Sequence, residues 1–213
     1  MTKIHIDGGI GSEISAAYVA GKLREAGGDP VELLIDSEGG SAAHGSQILL
    51  HLKNYKGKKT ARIEGHADSM AGLIAVACDH VVVEPDSEML VHRTAGPGNG
   101  NARYYAKRAE ELATRDRKMA AVYAAKSGKS VDHWLNLMDQ ETTFRGQQII
   151  DAGLADELIQ PVPLAERTTD PEKPAPPTPQ PETAPQPQGK VALSSLWEKE
   201  YRINTTPGAV FVG

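Results

Sequence analysis

Three short stretches carry side chains that could do covalent chemistry: SEGGS at 37–41, HADSM at 66–70 and VHRTAG at 91–96. Ser69 stands where a polar turn gives way to the small apolar run AGLIAVA. A serine at such a place has two uses. Its hydroxyl can cap the helix by accepting an orphan backbone N–H. The same helix start can instead offer that hydroxyl to a substrate, with unpaired N–H groups nearby for a developing oxyanion. A nucleophilic serine needs a base within hydrogen-bond reach. His92, closing EMLVH, is the candidate, although taken alone it reads more readily as a structural histidine. Gly39 and Gly40 lack a Cβ and so let backbone N–H groups approach a ligand. They would serve a tight turn before the next helix equally well.

The other histidines promise less. His5, His44, His51, His80 and His133 read as surface or packing residues, and His66 as a turn residue. No HExxH or other paired-ligand spacing occurs, and Cys78 is the single cysteine, so neither a metal nor a disulfide is expected. The GGIG and SEGG turns match neither GxGxxG nor GxxxxGK[ST], so a nucleotide site has no support and no cofactor is expected.

The elements that must hold these residues follow from periodicity. KIHI (3–6), VELLID (31–36), KTARIE (59–64), HVVVE (80–84) and EMLV (88–91) read as strands. A helix capped by Ser12 and stopped at Gly27–Gly28 follows the first strand, and a second runs through Ile48, Leu49, Leu52 and Tyr55. The opening serine motif leads into a third. Strands alternating with helices of about 10–15 residues predict an α/β fold with right-handed crossovers and a mainly parallel sheet. In such sheets ligands gather at the carboxyl ends of strands, where all three reactive stretches fall. From Asn101 to about Lys126 a long charged helix has too broken an apolar stripe for a core element, which predicts that it projects. Shorter helices are expected at Val131–Met138 and Arg145–Ala152, leading into LADELI.

The chain has 213 residues and a net charge of −5, which offers no basic footprint for nucleic acid. No apolar signal core opens it and no run of about 18 apolar residues occurs, so a soluble, cytoplasmic protein without membrane partners is expected. Ten of the 14 prolines fall between Pro161 and Pro187. Residues 1–160 are therefore expected to form the globular domain and 161–189 an extended proline-rich linker. Residues 190–213, which regain Trp197, Tyr201 and Phe211, read as a docking peptide or a frayed tail.

Taken in order, SEGGS, GHADSMAGLIAVACDHVVVEPDSEMLVHRTAG, a long helix and FRGQQIIDAGLAD resemble the proteolytic subunit of the Clp serine proteases, in the manner of its phage head-maturation (prohead) branch. The resemblance covers about residues 3–160. It implies a Clp/crotonase-like fold of repeated ββα and βαβ units, and serine endopeptidase activity. It assigns the nucleophile to Ser69, the general base to His92, oxyanion donors to the N–H groups of Gly40 and Met70, and substrate binding to Gly39 and Gly40. The third triad member falls on Glu141, with Asp139 the alternative. Homo-oligomeric rings enclosing the sites, peptide or protein substrates, and a capsid or scaffold partner for the tail are implied too. Two residues depart from the family pattern. Glu38 takes the place of a proline, and Asp68 precedes the nucleophile as either a solvated turn residue or a charge acting on His92. The chain opens at its first strand, which speaks against docking to an ATP-driven unfoldase. The competing readings are a non-catalytic assembly protein on the same fold and an acyl-CoA hydratase or isomerase, which would not need Ser69 or His92.

Overall fold

A computed structural model describes residues 1–159; the expected linker and tail lie outside the described residues. Strand β1 (Thr2–Asp7) is followed by α1 (Ala16–Ala26), β2 (Val31–Ser37), α2 (Ala42–Asn54), β3 (Lys59–Ala67), α3 (Met70–Val76) and β4 (His80–Val83). Then come β5 (Glu88–Val91), α4 (Ala102–Ser127), α5 (Val131–Asp139), β6 (Thr142–Arg145), α6 (Gln147–Asp151) and β7 (Glu157–Leu158). Strands β1, β2, β3, β4 and β7 lie side by side in that order, every pair parallel, as alternating strands and helices require. Strand β5 leaves the layer. It touches β3 through His66 and Glu88 and pairs antiparallel with β6.

The core follows from composition. Leu33, Leu34 and Ile35 are consecutive and all buried, the signature of a strand covered on both faces. Every residue of α3, MAGLIAV, is buried. A helix apolar all round belongs inside the molecule, and this one sits just behind the strand ends where the reactive residues were expected. On α4 only Asp116, Ala120 and Tyr123 are buried, while Tyr104 and Tyr105 near its start are 40% and 52% exposed. Its first half stands clear of the core and its second half is anchored. Tyr123 packs on Trp134 at 5.2 Å between ring centroids, and the Trp134 indole donates to Ser127 Oγ at 2.8 Å. No helix among the described residues is long and apolar enough to cross a membrane.

Local details differ from expectation in three places. Ser15, not Ser12, caps α1 by accepting from the Tyr18 N–H; Ser12 instead donates to the Gly9 carbonyl. Strand β3 runs on to Ala67, because its last residues still pair with Ser37 and Glu88. The expected helix at Arg145–Ala152 begins only at Gln147, and Thr142–Arg145 is strand. TTFR is β-branched and aromatic, and Glu88 ion-pairs across the ladder with Arg145 at 2.7 Å.

Candidate active site

Ser69 is the second of the two residues that turn β3 into α3, with φ 54° and ψ −116°. That conformation separates it from ordinary caps. Ser15, Ser41, Asn101 and Ser130 each begin a helix at negative φ and accept an N–H three residues on. The Ser69 side chain makes no capping bond. Its backbone is held on both sides instead: its N–H donates to the Leu90 carbonyl at 2.8 Å, and Tyr123 Oη donates to its carbonyl at 3.3 Å. Burial raises the Tyr123 phenol well above its ordinary value, with the Asp68 carboxylate adding to the effect, so it stays a neutral donor. A serine held at positive φ in so sparsely populated a region stores about 1–3 kcal/mol, and these bonds hold it there.

The SEGGS segment runs past this corner. Gly39 is buried against it at φ 90°, and a Cβ there would lie 2.6 Å from the Asp68 carbonyl and 2.9 Å from Ser69 Cβ. Its far edge is taken by Ile10, whose N–H donates to the Gly39 carbonyl and whose carbonyl accepts from the Ser41 N–H, both at 2.7 Å. Gly40, between those two bonds, has an N–H with no acceptor among the described residues. The Met70 N–H, first of α3, is likewise unpaired there. Both residues line a cleft of about 450 Å³ together with Ser69, His92 and the Thr94–Pro97 loop. The structure thus brings the expected nucleophile, base and two amide donors to one surface, and Glu38 also lines it. A second, mainly apolar pocket of about 320 Å³ shares Ala42, Ala43, Met70, Arg115 and Met119 with the cleft and continues to Leu49, Leu73, Lys118 and Val122.

His92 follows β5 directly and is half-buried. The two carboxylates expected near it are placed differently. Asp139, exposed at the end of α5, chelates Arg93 through Nε and Nη2 at 2.7 and 2.6 Å, which holds its carboxyl below the ordinary range. Glu141 lies in the turn before β6 with φ 48°. The β5–β6 ladder ends with Val91 paired to Thr142, and His92 and Glu141 are the residues just beyond that pair on the two chain segments, with no hydrogen bond between them among the described residues. Ser69 and Glu141 are the two non-glycine residues at positive φ among those described.

Several other candidates are accounted for elsewhere. His66 takes its place beside Asp36, with its N–H 2.9 Å and its Nδ1 3.3 Å from the carboxylate. The Cys78 thiol is buried and pushed up to about 12, which removes it as a nucleophile. Asp68 is neither a solvated turn residue nor seen touching His92: it is half-buried and Oδ1 accepts the Leu90 N–H at 2.8 Å. With the Ser69 N–H on the Leu90 carbonyl, it ties the serine corner to the strand that carries His92. Sequence reasoning missed Arg93, Asp116 and Tyr123 as supports of the site. An aspartate in a charged helix and a tyrosine in a broken apolar stripe carry no local signal of what they will face.

Residues 3–162 match the family model described as Clp protease.

Proposed function

The chain belongs to the Clp protease family, and so to a family of peptidases; from that membership we propose that it is a serine endopeptidase working through Ser69, His92 and Glu141. One observation carries the reading. The only two described non-glycine residues at positive φ are the expected nucleophile and Glu141, the expected third member, which directly precedes the strand paired with β5. Strained backbone of this kind persists where the surrounding structure imposes it, and it concentrates at functional sites.

In this mechanism His92 takes the proton from Ser69 Oγ as that oxygen attacks the scissile carbonyl. The unpaired N–H groups of Gly40 and Met70 receive the negative charge on the carbonyl oxygen. His92 then passes its proton to the departing amine, and water, activated by the same imidazole, releases the acyl-enzyme. Glu141 orients the imidazole and favours its charged form. The substrate backbone adds as a strand along the free edge of Gly39–Gly40, whose other edge is occupied by Ile10. Its side chain before the scissile bond enters the adjoining apolar pocket beside Met70. Protein groups suffice for each step.

The proposal extends to the setting. The resemblance to prohead proteases favours phage capsid maturation in the host cytoplasm. The exposed first half of α4, with Tyr104 and Tyr105, favours packing into a homo-oligomeric ring or double ring. A fluorophosphonate probe tests the chemistry: it labels the wild-type chain, and Ser69→Ala removes both labelling and peptide hydrolysis. Absence of labelling from an assembled protein between pH 6 and 9 sinks the reading. Glu141→Ala lowers kcat by about 10³–10⁴-fold and Asp139→Ala by no more than about tenfold; the reverse order reassigns the third position.

A further inference from the structure

Asp116 is the one buried carboxylate among the described residues, 6% exposed on a helix whose other charged residues are exposed or half-buried. A buried carboxylate is costly unless its oxygens are satisfied, so its partners show what it is there for. Both lie in the two residues directly after His92. Oδ1 accepts the Thr94 N–H at 2.7 Å, and Oδ2 is 3.5 Å from Arg93 Nη1. Arg93 extends the link through its paired contacts with Asp139, and Thr94 Oγ1 donates to Met119 Sδ at 3.2 Å.

The position of these bonds along the chain matters. On its N-terminal side His92 is held by the β5–β6 ladder, whose last pair is Val91 with Thr142. On its C-terminal side the chain enters the Thr94–Pro97 segment, which has no regular structure and lines the cleft. Without an anchor at 93–94 that side of the histidine is free to swing. Asp116 closes the gap by fastening the strand end to α4. Resting on the serine-peptidase reading above, we propose that Asp116, acting through Arg93 and Thr94, is a positioning residue for His92. It touches no substrate. It sets the imidazole within reach of Ser69, and a displacement of about 1 Å at a reacting group costs on the order of 10²-fold in rate.

Asp116→Ala, Asp116→Asn and Arg93→Met test this in the full chain. Hydrolysis of a fluorogenic peptide gives kcat and KM, and each change is also placed on Ser69→Ala to read peptide affinity without turnover. Positioning predicts that Asp116→Ala lowers kcat about 10–100-fold while KM and the affinity in the Ser69→Ala background stay within threefold. Asp116→Asn, whose amide oxygen can still accept the Thr94 N–H, recovers at least half of that loss on a logarithmic scale. Arg93→Met, which leaves the Thr94 bond in place, gives an intermediate kcat and covers the case in which Asp116→Ala fails to fold. Retention of kcat within threefold in Asp116→Ala overturns the proposal. So does a loss of kcat and peptide affinity together with no recovery in Asp116→Asn, the mark of general structural damage. A wild-type chain that neither hydrolyses peptide nor reacts with fluorophosphonate defeats the peptidase reading itself, whereas an active wild type with equally active variants defeats only the role of Asp116.

Discussion

Replacing Gly39 by alanine should damage catalysis far more than it damages the fold, and Gly27→Ala supplies the control. Both glycines sit at positive φ, 90° and 61°, so an alanine is strained at either. Around Gly27 a new Cβ meets nothing within 4 Å, which leaves the conformational cost alone, about 1–2 kcal/mol. At Gly39 the new carbon would lie 2.6 Å from the Asp68 carbonyl and 2.9 Å from Ser69 Cβ. The first distance is about 0.8 Å inside ordinary contact, where repulsion is steep. Overpacking of this kind adds about 1–3 kcal/mol to the strain, against a total stability of about 5–15 kcal/mol. The variant should therefore fold, with Tm lowered by roughly 5–15 °C. Backbone cannot bend aside as a side chain does, so the Ser69 corner or the glycine segment must shift by a large part of an ångström. Either movement spoils the spacing between the Ser69 hydroxyl and the Gly40 and Met70 amides, for a loss of about 10²–10³ in kcat. Peptide hydrolysis and the fluorophosphonate labelling rate measure this directly, with Tm from calorimetry. Gly27→Ala should lose a few degrees of Tm and no activity. If Gly39→Ala keeps kcat within threefold while Tm falls as expected, the contact is structural and the assignment of this face as the oxyanion side is wrong.

Cys78 should resist iodoacetamide at pH 8 in the native protein and react fully in urea, since its thiol is buried and pushed up to about 12; fast native labelling would contradict that environment. The Asp36 carboxyl is held below its ordinary 3.8, first by the His66 backbone N–H and also by the His66 ring, against a smaller opposing effect of burial. A carboxyl depressed on folding contributes stability above its unfolded pKa and loses it as pH falls through the lower folded value. Urea midpoints should thus fall less steeply below about pH 4 in Asp36→Asn than in the wild type, and parallel curves would count against the pairing. Removal of residues 190–213 should leave small-peptide hydrolysis unchanged and weaken association with a capsid or scaffold protein; equal binding by the truncated chain would rule out a docking role for the tail.

Much of the layout was legible because it depends on local pattern. EMLV was read at its observed bounds, and VELLID to within one residue, since uninterrupted apolar runs bounded by turn residues leave little choice. The parallel order followed from alternation of strand and helix. Strand β6 was not legible. TTFR is four residues long, precedes a helical pattern, and becomes strand only because β5 offers it an edge. The cap of α1 was misplaced for a related reason: Ser12 and Ser15 are equally good caps by type, and Ile14, pinned to Ile10 and Gly9, postpones the helix. At the candidate site, Ser69, His92, Gly39 and Gly40 stood out from their places at strand ends, and Met70 came from the family resemblance alone. The supports could not. Asp116 reaches Thr94 across 22 residues, and Tyr123 reaches Ser69 across 54, separations over which residue type carries no signal.

The proposed role of Ser69 draws on its backbone conformation. Capping and nucleophilic display both call for a hydroxyl at a helix start, so residue type cannot separate them. Backbone conformation can. A cap takes a non-helical conformation, with negative φ and positive ψ, so that its side chain folds back over the first turn, and four helices here begin that way. Ser69 has been rotated out of that region, which leaves the first amides of α3 unfilled by its own side chain and its hydroxyl on the cleft. Asp68 helps to hold that rotation. Its carboxylate takes the Leu90 N–H while the Ser69 N–H takes the Leu90 carbonyl, so two consecutive residues grip one residue of β5. The strand gripped is the one that His92 directly follows. An acidic residue beside the proposed nucleophile, which from sequence looked like a charge that could disturb the base, has the geometry of a brace between Ser69 and the strand before His92.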